Sequence, residues 1–195
     1  MKTFVSELRT AVLLTAVLAV LLCGAYPLAV WAGAQALFPA KANGSLVTDA
    51  DGSVRGSALL GQSFTSEKYF NSRPSAAGTG YDATNSSGTN FGPTSQKLAD
   101  TIKANVAAYR AANGLAPDAP VPADAVTASA SGLDPHISLA NATLQASRIA
   151  RVRGLPLATV TQLIATHTDT RGLNLLGEPG VNVFLLNLAL DHAHP

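Results

Sequence analysis

The chain has 195 residues, a formal net charge of +1 and a single cysteine. This near-neutral charge excludes the strongly basic surfaces that bind nucleic acid, so we expect no nucleic-acid partner. The lone Cys23 excludes an intrachain disulfide, so the stability of the fold has to come from packing. Removing the first 40 of the 195 residues leaves 155, which is enough for one domain with its own core.

A long uncharged segment dominates the N-terminal part of the chain. No Asp, Glu, Lys or Arg occurs from Thr10 to Ala40, and about 20 apolar helical residues suffice to cross a bilayer core of about 30 Å. Lys2 and Arg9 precede the segment, whereas Tyr26 and Trp31 fall where aromatic side chains meet the opposite headgroups. The sequence therefore predicts one membrane-spanning helix.

The predicted organisation of the chain follows from this helix. We expect a cytoplasmic tail at residues 1–9, the spanning helix at residues 10–38 and a soluble domain at residues 39–195. Because basic residues favour the cytoplasmic side of a membrane, the domain is expected outside the cytoplasm. The predicted fold class is a single N-terminal transmembrane α-helix followed by one α+β globular domain.

Three other interpretations of the apolar segment stay open. Ala32–Ala34 offers the small-residue exit of a cleaved secretory signal, although the apolar run exceeds the usual limit of about 15 residues. Cys23 could be acylated as in a lipoprotein, but Leu22 before it is larger than the residue such sites use. A buried core helix would normally show a polar face, which this segment lacks.

Beyond Pro39 the sequence predicts a small hairpin and then an irregular loop. Ser45–Thr48 and Val54–Leu60 have the short apolar and β-branched pattern of two strands. Gly61–Thr94 is rich in Gly, Ser, Asn and Thr, yet it contains aromatic side chains at Phe64, Tyr69, Phe70, Tyr81 and Phe91. Rings gain free energy only when they are buried, so we expect an ordered loop on a surface and not a disordered linker.

Helical periodicity returns after this loop. A first helix is predicted between an N-cap at Thr94 and a C-cap at Asn113–Gly114. The remaining predicted elements are a buried strand at Ala125–Ala130, a helix from Ser138 to Arg153, a helix opened by Pro156, and an apolar segment at Val181–Leu190 that fits helix better than strand. Arg148, Arg151 and Arg153 are interpreted as a solvated basic end of the second helix.

The sequence lacks the common signatures of hydrolytic and metal sites. No glycine is followed by lysine, which excludes a phosphate-binding P-loop, and neither an Asp-Lys-Thr-Gly site nor a Gly-x-Ser-x-Gly elbow occurs. The four histidines have no zinc-ligand spacing, so we predict no catalytic residue and no metal. Ser129–Gly132 fits either a strand-to-helix turn or a small-residue loop that presents N–H groups to a phosphate.

Several stretches of the chain closely resemble one known family. They are Gly61–Phe64, Tyr69–Ala76, Asn90–Pro93, Asp124–Ser138 with its Ala-Ser-Gly-Leu-Asp-Pro-His-Ile-Ser core, Leu176–Glu178, Val181–Val183 and Leu186–Asn187. In this order, behind one N-terminal span, they are similar to the KdpC subunit of the bacterial Kdp potassium-transporting P-type ATPase. The resemblance covers nearly the whole chain.

The resemblance implies a non-catalytic accessory subunit of an ATP-driven, high-affinity potassium uptake system in the bacterial inner membrane. Such a subunit stabilises the complex and raises the ATP affinity of the hydrolytic subunit. The implied partners are the lipid bilayer, a channel-like potassium-binding subunit, the ATP-hydrolysing subunit and a small stabilising subunit. No cofactor is expected on this chain itself, although ATP could act through or together with the hydrolytic subunit.

Two groups of candidate site residues follow from this interpretation. The candidates for contact with partner subunits are Phe64, Tyr69, Phe70, Arg73 and Phe91. The candidates for an effect on nucleotide are Ser129, Gly132, Asp134 and Gln145. Two alternatives from other classes stay open: a membrane-tethered extracytoplasmic hydrolase, with Asp134 and His136 as acid and base, and a tethered solute-binding module.

Overall fold

The uncharged N-terminal segment is helical as far as Leu37 in the computed structural model, which describes residues 2–49, 51–173 and 175–193. Helix α1 is Lys2–Ala19, a π-helical segment follows at Val20–Ala25, and α2 is Tyr26–Leu37. Residues 2–9 of the predicted tail therefore continue the same helix, whereas Met1 and residues 194–195 lie outside the described chain.

This helix is long and apolar enough to cross a membrane. Its apolar part, Thr3–Leu37, has 35 residues and measures about 50 Å at about 1.5 Å per residue, which exceeds a bilayer core of about 30 Å. None of its most apolar window is buried within the described residues, so the alternative of a buried core helix is wrong. One N-terminal apolar helix of this kind fits a single-pass membrane protein.

The π-helical segment lies immediately before Pro27. Tyr26 N–H donates to the carbonyl oxygen of Leu21, five residues earlier. Proline has no N–H, and its ring would crowd the carbonyl four residues earlier in a regular α-helix. One wider turn removes that conflict without ending the helix, as π-bulges commonly do.

The chain divides into two compact units, Met1–Ser57 and Ala58–Pro195. Beside α1 and α2, the first unit holds the short α3, Pro39–Ala42, and two strands, β1 at Leu46–Thr48 and β2 at Val54–Ser57. The strands pair antiparallel with Leu46 opposite Ser57, so the predicted hairpin is confirmed.

Three helices of the second unit begin and end close to the predicted residues. Helix α4, Gln96–Asn113, is capped by Ser95 and not by Thr94, and it ends at Gly114 with a positive φ of 64°. Helix α5, Leu139–Arg153, begins at Ser138 as predicted, because the Ser138 hydroxyl accepts the N–H of Asn141 at 3.1 Å. Helix α6 is Leu157–Thr166 and follows an N-cap at Pro156.

A small antiparallel sheet completes this unit. Strand β5, Gly180–Asn182, lies between β3, His136–Ile137, and β4, Thr168–Asp169. The final apolar segment is thus a strand and then a helix, α7, Val183–Ala193. The change occurs at Asn182, whose side-chain oxygen accepts the N–H of Leu185 at 3.1 Å.

The predicted strand at Ala125–Ala130 is wrong. A short 3₁₀ turn, Ala123–Ala125, starts the segment, and no strand follows before His136. The backbone N–H groups of Val126 and Thr127 both donate to the carbonyl oxygen of Ala123, at 3.1 and 3.0 Å. These bonds close a turn and consume the groups that a strand would have offered to a neighbour.

The core of the second unit lies where α5, α6, α7 and β5 pack together. Its fully buried side chains are mostly aliphatic, and they include Ile149, Val160, Val181, Leu186 and Leu190. The irregular loop at Gly61–Thr94 contributes Phe70, which has no exposed surface. An apolar N-terminal helix followed by a domain of helices and a small sheet confirms the predicted fold class.

Candidate functional site

Helix α5 carries a stripe of polar residues that point into the domain. Asn141, Gln145 and Arg148 are spaced by four and three, so they lie on one helix face, and each is at most 2% exposed. The interpretation of Arg148 as part of a solvated helix end is wrong. The spacing of large polar residues along an otherwise Ala-rich face was the signal that could have identified this stripe.

Arg148 uses all five of its N–H groups, and three of them hold the irregular loop. Their acceptors are oxygens of Asn113 at 3.0 Å, Tyr69 at 3.0 Å, Asn71 at 3.0 Å, Gln145 at 2.9 Å, and the backbone of Glu67. A guanidinium has only five N–H donors, so the side chain is saturated. Burial lowers the pKa of Arg148 from its usual value, yet the group stays a cation.

Gln145 is equally saturated. Its side-chain oxygen accepts the N–H of Asn71 at 2.7 Å and an N–H of Arg148 at 2.9 Å. Its amide nitrogen donates to the carbonyl oxygen of Asn71 at 3.1 Å and to the side chain of Asn141 at 2.9 Å. Gln145 therefore fixes the backbone of the loop at Asn71 and offers no spare group to a nucleotide.

The third residue of the stripe joins α5 to its surroundings. The amide of Asn141 donates to Asp124 at 2.9 Å, and the same carboxylate accepts the N–H and the hydroxyl of Ser138, each at 2.8 Å. The Tyr109 hydroxyl of α4 donates to the Asn141 side chain at 2.8 Å. Burial, followed by the charge of Asp124, raises the pKa of Tyr109, so this tyrosine stays protonated.

Ser129–Gly132 packs tightly against the irregular loop. Gly132 N–H donates to the Ser129 hydroxyl at 2.9 Å, and Leu133 N–H donates to the Ser131 hydroxyl at 3.1 Å. The carbonyl oxygen of Ser131 accepts the N–H of Ser87 at 3.0 Å. These bonds favour the interpretation of Ser129–Gly132 as a structural turn and not as a phosphate-binding loop, because the N–H groups of Gly132 and Leu133 already have hydrogen-bond acceptors.

An ion-pair cluster surrounds Asp134 beside this turn. Arg73 lies 3.1 Å from one carboxylate oxygen of Asp134, and His136 Nδ1 lies 3.6 Å from the other. His136 Nε2 lies 2.8 Å from Asp169. Both ring nitrogens of His136 therefore face carboxylates, which leaves neither ring nitrogen to activate a nucleophile and weakens the hydrolase alternative.

The cluster shifts the pKa of two of its members. The adjacent carboxylate of Asp134 raises the pKa of His136; burial opposes that shift, and Asp169 adds to it. Burial raises the pKa of Asp134, but hydrogen bonds from His136 and the charge of Arg73 outweigh it and lower the net pKa. The arrangement stabilises a protonated imidazole between two carboxylates.

The aromatic candidates for partner contact have different environments. Phe70 is fully buried, and its backbone is held by Asn187 at 2.8 and 3.0 Å, so its ring cannot reach a partner. Tyr69 is partly buried, with its hydroxyl 2.8 Å from Asp191 and its ring 5.5 Å from that of Phe64. Phe91 is partly exposed beneath the Lys97 ammonium.

Arg73 is the candidate with an incompletely used polar group. Its Nε is buried without a hydrogen-bond partner among the described residues. The side chain borders a polar cleft of about 390 Å³ between the loop and α4, where Tyr109, Asn141 and Gln145 also lie. Those three are engaged with one another and with the loop, so they offer few free polar groups to a solute in the cleft.

Comparison with known proteins places this domain in a family. The model of the family described as KdpC, K+-transporting ATPase, c chain, matches residues 8–192. Proteins described as potassium-transporting ATPase KdpC subunit are similar over most of both chains. That of Nitratidesulfovibrio vulgaris is 55% identical over 186 residues, covering 94% of this chain and 92% of its own.

Two further relatives carry the same description. The Koribacter versatilis protein is 52% identical over 190 residues, covering 97% of this chain and 96% of its own. The Caulobacter vibrioides protein is 53% identical over 190 residues, covering 97% of this chain and 95% of its own. The chain therefore belongs to the KdpC family, the c subunits of the potassium-transporting ATPase.

Proposed function

We propose that this chain is a non-catalytic accessory subunit of the high-affinity, ATP-driven potassium uptake system. In this role it stabilises the complex and raises the affinity of the hydrolytic subunit for ATP. The observation that carries the proposal is the match to KdpC subunits over residues 8–192, which includes the apolar helix as well as the domain. The partners are then the channel-like, the ATP-hydrolysing and the small stabilising subunits, together with the bilayer.

The effect on ATP would be indirect. Gln145 is 1% exposed and has all its polar atoms engaged, while Gly132 and Ser129 are bonded to each other and packed against the loop. Asp134 is paired with Arg73. A coupling free energy of about 1 to 3 kcal/mol transmitted through subunit contacts is enough to change ATP affinity by about 5- to 150-fold.

The surface proposed for partner subunits is the exposed side of the irregular loop. Phe64, Tyr69, Arg73 and Phe91 each keep part of their surface exposed, unlike Phe70. Arg148 holds the backbone of Tyr69, and Gln145 holds the backbone of the neighbouring Asn71. A loop held in this way can present aromatic and Arg side chains without a large loss of entropy on binding, and these residue types dominate binding energy at interfaces.

The proposal is tested by measuring ATP binding to complexes purified with and without this chain. We expect the complex that lacks the chain to bind ATP about 5- to 150-fold more weakly, and a photoreactive ATP analogue to label the hydrolytic subunit and not this chain. Equal ATP affinity of the two complexes would refute the role. Labelling of Gln145 or its neighbours would show that nucleotide contacts this chain directly.

The orientation is proposed to place the N-terminus in the cytoplasm of the bacterium, with the helix in the inner membrane. Gln162 on α6 and Ser6 on α1 are both exposed, so cysteines at these positions, in a Cys23→Ser background, can report the two sides. A membrane-impermeant thiol reagent added to intact cells should modify Gln162→Cys and spare Ser6→Cys. The reverse pattern would place the domain in the cytoplasm.

A further inference from the structure

The side chain of His136 crosses the small sheet from one outer strand to the other. In the register of the sheet, His136 on β3 lies opposite Asn182, and Asp169 on β4 lies opposite Gly180. Residues that pair directly share a face of the sheet, as do residues two apart along one strand, so these four residues lie on one face. The His136 ring passes over Gly180 and brings Nε2 to 2.8 Å from the Asp169 carboxylate.

Gly180 makes this crossing possible. A Cβ at Gly180 would lie 3.1 Å from Cβ of His136 and 3.3 Å from its Cγ, which is closer than such atoms normally approach. Any larger residue at this position of the middle strand would crowd the ring. One side chain therefore ties β3 directly to β4, over the strand that separates them.

Strand β4 is short and depends on this tie. It has two residues, and in the described part of the chain its strand neighbour is β5 alone. At one end the Thr168 hydroxyl donates to the carbonyl oxygen of Ile164 on α6 at 2.7 Å. At the other end His136 holds the Asp169 side chain. Because short edge segments open at low free energy, this contact can decide whether the Asp169 end stays paired with β5.

The charge of His136 matters because a carboxylate faces each of its ring nitrogens. Nε2 faces Asp169, and Nδ1 lies 3.6 Å from Asp134. A protonated imidazole has two N–H groups, whereas a neutral one has a single N–H and presents a lone pair to the other carboxylate. Loss of the proton therefore weakens the charge-assisted hold on the two carboxylates. The side chain is 37% exposed, so protons reach it without unfolding.

On the loop side of the ring, the other charged and titratable groups have partners of their own. Arg73 pairs with Asp134 at 3.1 Å. The Tyr81 hydroxyl donates to the backbone of Arg73, and burial raises the pKa of Tyr81, so this group stays protonated. Asp124 accepts the N–H and the hydroxyl of Ser138, which follows β3.

On the sheet side, β5 brings no charged residue to the ring. Arg171 follows β4 and pairs at 2.7 Å with Glu178, which precedes β5. His167 precedes β4, and its Nδ1 lies 2.8 Å from the carbonyl oxygen of Leu163 on α6. His136 is thus the titratable group that joins the two outer strands.

We propose that His136 is a pH-sensitive clamp for the edge strand β4: the protonated ring holds the Asp169 end on β5, and the neutral ring lets it open. Asp134, and then Asp169, raise the pKa of His136 against the effect of burial. The clamp is therefore fully formed below the ordinary value of 6.5 and is lost as the pH rises through the folded value. The inference stands independently of the proposed function, because it concerns contacts within the domain.

The test measures amide hydrogen exchange by NMR in the full-length chain in detergent, from about pH 6 to about pH 9. The amides of Asp169 and Gly180, which lie opposite each other, report the edge strand. The amide of Val183 donates to the carbonyl oxygen of Pro135 at 2.9 Å, next to β3, and is the internal control. Wild type and His136→Gln are compared at each pH, so that the intrinsic pH dependence of exchange cancels.

At about pH 6 the amides of Asp169 and Gly180 should exchange about fivefold more slowly in the wild type than in His136→Gln, which is the scale of a partly exposed ion pair. This ratio should approach one as the pH rises, while Val183 shows no difference at any pH. A ratio that stays constant with pH, or an equal change at Val183, overturns the inference.

Asp169→Asn provides a second variant that keeps the His136 ring in place. We expect it to speed exchange at Gly180 as His136→Gln does, and to lower the pH midpoint at which the ring resonances of His136 titrate. Glu178→Gln, at another exposed carboxylate, is the matched control and should leave both measurements unchanged. Wild-type exchange at Gly180 together with an unchanged midpoint in Asp169→Asn would overturn the inference.

Discussion

The guanidinium of Arg148 is a buried cation held by neutral oxygens. Its five acceptors are three backbone or side-chain oxygens of the irregular loop, one side chain at the end of α4 and Gln145 on its own helix. Hydrogen bonds to a charged group are stronger than those between neutral groups. One side chain thus ties an irregular loop, without regular secondary structure of its own, to two helices.

Replacing Arg148 by Met should destabilise the domain by about 3 kcal/mol or more, because the buried side chains of Asn113 and Gln145 and three oxygens of the loop lose their donor at once. Arg151→Met on the same helix is exposed and should change the unfolding free energy by no more than about 0.5 kcal/mol. Urea unfolding of the full-length chain in detergent, followed by circular dichroism, measures both. Equal stability of the two variants would contradict the assigned role of Arg148.

His136 should make stability depend on pH. Its pKa is raised in the folded state by Asp134 and Asp169, so its contribution is fully present below the unfolded value of 6.5 and is lost as pH rises through the folded value. The imidazole is partly exposed, which limits the contribution to about 1 kcal/mol.

The matched variants for this prediction are His136→Gln and the exposed His192→Gln. Unfolding free energies measured from pH 6 to about pH 9 should fall more steeply for the wild type than for His136→Gln, since only the wild type loses the imidazolium contacts. His192→Gln should follow the wild type. Parallel curves for the wild type and His136→Gln would show that the cluster contributes nothing.

The packing of the irregular loop against Ser129–Gly132 depends on close backbone approach. A Cβ at Gly132 would lie 2.7 Å from the N atom of Ala77 and 2.7 Å from the O atom of Ser87, and φ is 68°. Gly154 has a similar φ of 66° with nothing within 4 Å of a Cβ. The two glycines therefore separate the backbone penalty from the packing penalty.

Gly154→Ala should cost about 1 kcal/mol, which is the penalty of a left-handed alanine. Gly132→Ala should cost at least about 2 kcal/mol more, because the loop backbone must move away. Thermal or urea unfolding of the full-length chain gives the difference. Equal costs for the two variants would mean that the loop yields easily at Gly132.

The regular elements of the fold could be predicted and the irregular ones could not. The apolar helix and the Ser138–Arg153 helix follow from local patterns and caps. The predicted end of the apolar helix at residue 38 is therefore close to the end of α2 at Leu37, and the predicted bounds of the second helix are close to those of α5. The strand predicted at Ala125–Ala130 was wrong because the small residues of this region pack against a loop that is distant in sequence. Phe70 was assigned to partner contact and Gln145 to an effect on nucleotide because the loop and helix residues that bury them are distant in sequence: Phe70 bonds Asn187 and Gln145 bonds Asn71, each more than 70 residues away.

At the scale of the whole molecule, the chain joins an apolar helix to a domain whose buried polar groups serve mainly its own structure. Asn141, Gln145, Arg148 and Asn187 all hold the loop or its supports. The surface proposed for contact with other molecules is the exposed face of that loop. Under the proposed function, this surface acts by binding neighbouring subunits and not by chemistry of its own.

This role has a thermodynamic consequence that can be measured without locating any site. If the chain raises the affinity of the hydrolytic subunit for ATP by some factor, ATP must raise the affinity of the remaining complex for this chain by the same factor. The dissociation constant of the labelled chain from the detergent-solubilised complex should therefore fall by about 5- to 150-fold when a non-hydrolysable ATP analogue is saturating. Linkage would be violated if the chain changed the ATP affinity of the complex but ATP did not change the affinity of the complex for the chain. That result would show that the two preparations differ in more than this subunit.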